Sequence, residues 1–69
     1  MFILLQSGMM LNMCWLQDCH ISKINKNIVV FYMVNGSEIL EQYETETEAK
    51  DRETEIHNKM SNFTLNINS

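Results

Sequence analysis

The chain contains no proline, two glycines, two cysteines and five basic residues among its 69 positions. Each shortage excludes something. With only Gly8 and Gly36 there is no glycine-rich loop of the kind that cradles phosphates. Cys14 and Cys19 are too few for a disulfide framework, and a bridge between them would close a loop too short to stabilise much, so two free thiols are expected. Five bases against nine acids give a net charge of −4 without a basic cluster, which argues against nucleic-acid binding; Lys23 and Lys26 beside one turn are not a patch. No apolar run approaches the roughly 20 residues that span a bilayer, so no membrane partner is expected. The start Met1-Phe2-Ile3-Leu4-Leu5 has no basic residue before it and breaks at Gln6-Ser7-Gly8, unlike a secretory signal. A cytoplasmic location is the default expectation, and the sequons Asn35-Gly36-Ser37 and Asn62-Phe63-Thr64 would then stay unused.

What is present is globular in balance, with 45% apolar and 20% charged residues, so the chain should fold around one core. A domain this short buries only about 60% of its unfolded surface and usually needs disulfides, a metal or a partner subunit as well. The expected class is α+β: a short antiparallel β-meander of four to five strands, followed by one acidic C-terminal helix. Residues 1–62 would form the domain and residues 63–69 a tail.

Ile28 to Val34 is unbroken apolar sequence rich in β-branched and aromatic residues, as in a central strand covered on both faces. Asn35-Gly36 follows it, a strong hairpin signal that predicts a type I′ turn. The return strand, Ser37 to Tyr43, alternates Ile39, Glu41 and Tyr43 against Glu38, Leu40 and Gln42. Asn25-Lys26-Asn27 predicts a hairpin back to His20–Ile24. Earlier strands are expected over Met9–Leu16, with Leu11, Met13 and Trp15 on one face, and over Phe2–Leu5.

Thr45 followed by Glu48 fits a capping box, placing a helix from Glu46 to about Met60 with Ala49, Ile56, Met60 and Phe63 in one narrow apolar stripe. Four pairs at i, i+4 would support it: Glu46–Lys50, Glu48–Arg52, Glu53–His57 and Glu55–Lys59. The alternation of Phe63, Leu65 and Ile67 leaves room for a last edge strand.

Candidate chemistry is sparse. Cys14, Cys19, His20 and His57 are the soft ligands, and none of their spacings matches C-x₂-C or H-x₃-H, so no metal and no cofactor is expected. Eight of the nine acids lie between Glu38 and Glu55 on what reads as a solvated surface, and a catalytic carboxylate pair needs a cleft that so short a chain hardly has room to form. The chain therefore reads as a non-catalytic protein rather than an enzyme. Glu38, Glu41, Glu44 and Asp51 are acids without a local base and would suit a basic surface on a partner protein. The central strand offers Ile28, Val30, Tyr32 and Val34 to one face and Val29, Phe31 and Met33 to the other, while one thin helix covers only one. A homodimer through the remaining face is expected, with Trp15, Phe31, Tyr32, Met33 and Tyr43 as its candidate residues.

The stretch holding Leu5, Gly8, Leu11-Asn12, Ile21 with Ile24, and Asn35-Gly36 is similar in strand order to the small flagellar swarming-motility proteins. The chain lacks the Pro-Asp-Thr turn of that family, and its spacing from Gly8 to Leu11 is short. In size, acidity and use of Asn, Ile and Lys it is also similar to small phage-encoded proteins, some of which inhibit host nucleases. The functional expectation is thus an accessory or inhibitor-type interaction module acting as a homo-oligomer. The alternative is a protein that sequesters a small molecule between subunits.

Overall fold

In a computed structural model, which describes the backbone of residues 1–68 and the side chains of residues 1–63, the chain forms five strands and one long helix. Strands β1 (Phe2–Leu4) and β2 (Met10–Asn12) pair as an antiparallel hairpin. A single 3₁₀ turn, Met13–Trp15, leads into β3 (Leu16–Ile21), β4 (Ile28–Met33) and β5 (Glu38–Gln42), which form a three-stranded antiparallel sheet in sequence order. Helix α1 runs Glu46–Asn68 and packs chiefly on β3 and β4. The α+β meander-then-helix architecture is the one expected from the sequence.

The central strand is β4, as its composition predicts, and its register assigns the two faces. Val29, Phe31 and Met33 point into the core with Cys19 and Leu16 from β3, and Ala49 and Ile56 from α1. The inward residues of the first hairpin, Ile3, Leu5, Leu11 and Met13, join this same cluster. The hairpin therefore packs on the side of the sheet that the helix occupies and leaves the opposite face uncovered. Phe31 and Met33 are consequently core residues, at 0% and 9% exposure, and not part of a free surface. Tyr43 is half-buried against the same core.

Two hairpins in the chain use one loop design. Gly36 N–H donates to Met33 O at 3.0 Å, Met33 N–H donates to Ser37 O at 2.8 Å, and Gly36 has φ 91°. Gly8 N–H donates to Leu5 O at 2.9 Å, Leu5 N–H donates to Met9 O at 2.8 Å, and Gly8 has φ 92°. Each is a three-residue loop, a type I turn closed by a left-handed glycine, and both glycines of the chain are spent on it. The expected type I′ turn is corrected here: it would need positive φ at Asn35 too, and only glycines have it among the described residues. Asn35 instead accepts the Ser37 N–H on its side chain at 2.9 Å.

Three further boundaries shift. The loose alternation expected over Met9–Leu16 is broken by the 3₁₀ turn, whose Asn12 side chain accepts the Cys14 N–H. This resets the phase, so that Leu16 faces the core and Trp15 is 56% exposed. Strand β3 then begins at Leu16, earlier than the expected His20. At the other end the helix continues past Met60 to Asn68, so Phe63, Leu65 and Ile67 belong to it and not to an edge strand; the side chains from Thr64 onward lie outside the described residues.

The helix begins where the capping signal places it, with the Thr45 hydroxyl accepting the Glu48 N–H at 3.2 Å. Its Ala49–Ile56–Met60–Phe63 stripe meets the core as expected. Of the four expected i, i+4 pairs only Glu55–Lys59 forms among the described residues, at 3.3 Å. Lys50 instead meets Glu53, and Arg52 and His57 turn to the sheet.

Candidate functional site

Charge placement is where the sequence misleads most. Glu41 lies at an inward position of β5, between Ile39 and Tyr43, and is 1% exposed. It is not a free acid for a partner. Its Oε1 accepts Arg52 Nε at 2.9 Å and the Tyr43 hydroxyl at 2.6 Å, and its Oε2 accepts Arg52 Nη2 at 3.2 Å and the Gln6 N–H at 2.7 Å. Arg52 Nη2 also donates to Leu4 O at 2.8 Å, Nη1 donates to Glu55, and the guanidinium stands 5.8 Å from the centre of the Phe31 ring. One carboxylate thus ties together the sheet, the helix and the first hairpin.

Burial pushes the Glu41 pKa up, but the bonds from Arg52, Tyr43 and Gln6 outweigh it and hold the carboxyl below its ordinary range. Tyr43 is raised to about 12, by burial and by donating to that carboxylate. Both signals could have been read from phase: Glu41 follows the inward alternation of β5, and Arg52 stands three residues after Ala49 and four before Ile56.

Both edges of the three-stranded sheet carry side-chain caps. On β5, Gln6 behaves as a detached peptide unit: its Nε2 donates to Gln42 O at 2.6 Å while its Oε1 accepts the Gln42 N–H at 3.1 Å. On β3, Glu53 accepts the Ile21 N–H at 2.9 Å and His57 Nε2 donates to Cys19 O. Every buried side-chain nitrogen and oxygen among the described residues has a partner.

The remaining expected acids do not gather. Glu38, Glu44 and Asp51 are exposed on three separate depressions. The sheet face away from the helix carries half-buried Ile28 and Tyr32, buried Val30, and Leu40 at 60% exposure, beside an open depression of about 990 Å³ that extends round the β3 edge to Lys50 and Glu53 of α1. Ile24, fully exposed, flanks it on the β3–β4 loop. At the opposite end Trp15 and Val34 are joined by a Val34 N–H to Trp15 O bond of 2.9 Å, and both are exposed. A second apolar surface, Phe2, Leu4 and Met10, is the outer face of the first hairpin.

Cys19 is buried and its thiol is pushed up to about 12, by burial first and then by the nearby Glu53 charge; Cys14 is exposed. Asp18, His20 and His57 converge at the β3 edge, a grouping invisible to spacing rules because it joins a strand to a helix. No helix among the described residues is long and apolar enough to cross a membrane. No family model matches the chain, and neither the curated proteins nor the solved structures contain a match.

Proposed function

We propose that this protein is a small non-catalytic interaction module that works as a homodimer in the cytoplasm, two copies meeting through the sheet face opposite the helix. One observation carries this reading: exposed Ile24 and Leu40 and half-buried Ile28 and Tyr32 line one surface, and none of the four belongs to the core cluster under the helix. Its charges favour a second copy as the occupant. Lys23 lies at the loop end of the strip and Glu38 at the hairpin end. A two-fold axis lying in the interface plane, perpendicular to the strands, reverses strand direction and sets Lys23 of each copy against Glu38 of the other.

Each large apolar side chain taken fully out of water contributes about 1.5–3 kcal/mol. Association costs about 4–15 kcal/mol, so a strip this size suits a micromolar dimer. The non-catalytic part rests on Glu41, Arg52 and Tyr43, perturbed groups whose polar atoms are engaged with one another. Two unpaired thiols suit a reducing compartment.

Sedimentation equilibrium across the micromolar range tests the reading. The native chain should show a concentration-dependent dimer. Leu40→Glu should give monomer, Lys23→Glu should weaken pairing several-fold, and adding Glu38→Lys to Lys23→Glu should restore it. A monomer at every concentration would overturn the proposal. The depression on the same face also favours a second reading, a small molecule roofed by the partner copy, because about 990 Å³ is at the upper end of ligand-site volumes. Native mass spectrometry of the chelator-treated dimer would carry extra mass in that case alone.

A further inference from the structure

The chain has two histidines, 37 residues apart, and both turn to the same carboxylate. Asp18 and His20, two positions apart on β3, share the outer sheet face, and His57 reaches over the strand edge from the helix. His20 Nε2 lies 2.8 Å from Asp18 Oδ2, and His57 Nε2 lies 4.0 Å from Asp18 Oδ1. The rings stand 5.7 Å apart at 78°, and one ligand atom from each residue lies within 4.8 Å of the other two.

The carboxylate is oriented by its surroundings. Its Oδ1 accepts the Cys19 N–H at 2.8 Å, and the β3–β4 register shifts between Leu16 and Asp18, an irregularity of the kind that re-aims a side chain. Both imidazole Nε2 atoms face oxygen acceptors, the Asp18 carboxylate and the Cys19 carbonyl, so each carries a hydrogen in the metal-free chain. A cation can replace those two hydrogens and draw together two nitrogen donors and one oxygen whose ligand atoms already lie within 4.8 Å of one another.

The geometry points to a mononuclear site for a divalent late first-row cation of the zinc class, ligated by Asp18, His20 and His57 with water completing a tetrahedron. Imidazole nitrogens select this class over magnesium or calcium, which prefer all-oxygen shells. The three side chains are about half exposed, at 47%, 53% and 42% for Asp18, His20 and His57, so ions enter freely and the affinity is moderate. A bound ion would cross-link α1 to the edge of β3 and supply a staple of the kind chains this short commonly use.

The test is calorimetric titration of the chelator-treated chain with zinc chloride, together with its thermal unfolding. One ion per chain with micromolar affinity is expected, and Tm should rise by roughly 10–20 °C at a hundredfold excess over Kd. Magnesium should do neither. His20→Ala and His57→Ala should each weaken zinc at least tenfold, while Cys14→Ser and the monomeric Leu40→Glu should bind as the native chain does. His20→Ala removes no bond to the backbone, so it remains informative if His57→Ala fails to fold. No heat with zinc at millimolar concentration would overturn the proposal. So would undiminished binding in His20→Ala, or loss of binding in Cys14→Ser.

Discussion

Arg52 and Glu41 meet across the core in a two-point ion pair, Nε to Oε1 at 2.9 Å and Nη2 to Oε2 at 3.2 Å, with the Glu41 side chain 2% exposed and that of Arg52 13%. Removing one partner leaves a buried charge, which costs about 3–5 kcal/mol. A chain of 69 residues has roughly 3–10 kcal/mol of stability in total. Arg52→Ala should therefore be largely unfolded or nearly so at room temperature by far-ultraviolet circular dichroism. The double replacement Glu41→Leu with Arg52→Leu, which leaves no charge behind, should be markedly more stable than either single change.

Acid should unfold the chain through the same pair. The folded-state pKa of Glu41 lies below its ordinary 4.5. A depressed carboxylate contributes stability that is complete above the unfolded pKa and is lost as pH falls through the folded one, so Tm should hold near neutrality and drop between about pH 5 and pH 2. Glu41→Gln should be less stable at pH 7 but should show a shallower decline on acidification.

The two left-handed glycines give a prediction free of packing effects. No atom lies within 4 Å of a Cβ added at Gly8 or Gly36, so substitution there is penalised by the backbone alone. Gly36→Val should cost about 1–2 kcal/mol, and Gly36→Asn less because Asn tolerates this region. At about 4–8 °C per kcal/mol the difference is visible in a melting curve. Equal melting temperatures for Gly36→Val and the native chain would contradict the turn geometry.

The thiols should separate by kinetics. A disulfide reagent should label one cysteine per folded chain rapidly, at exposed Cys14, and a second only on unfolding, since Cys19 is buried with its thiol pushed up to about 12. Cys14→Ser should abolish the fast phase.

The elements legible in the sequence were those whose cues are local. The β4 run, the glycine after Asn35, the Thr45 cap and the Ala49–Ile56 stripe each depend on neighbours within a turn or a strand, and each stands where its pattern places it. Phase within β5 was legible too, although treating every acid as solvated hid what the phase of Glu41 meant. What could not be read depends on partners brought together by the fold. His57 has a favourable partner in Glu53 one helical turn away, yet it serves the Cys19 carbonyl 38 positions earlier. The 3₁₀ turn at Met13–Trp15 exchanges the inside and outside of Trp15 and Leu16, through one Asn12 side-chain bond that periodicity does not register.

The capping of both edges of the three-stranded sheet limits how this chain can polymerise. A sheet with free edges grows by adding strands without limit, which is the route to ribbons and fibrils. Here Gln6 occupies the Gln42 peptide on one side, and Glu53 and His57 occupy the Ile21 and Cys19 peptides on the other. Growth in the hydrogen-bonding direction is blocked at those positions, and in the proposed dimer the outer face of the three-stranded sheet is consumed once two copies have met. An assembly of the proposed kind is thereby finite at this sheet and stops at two.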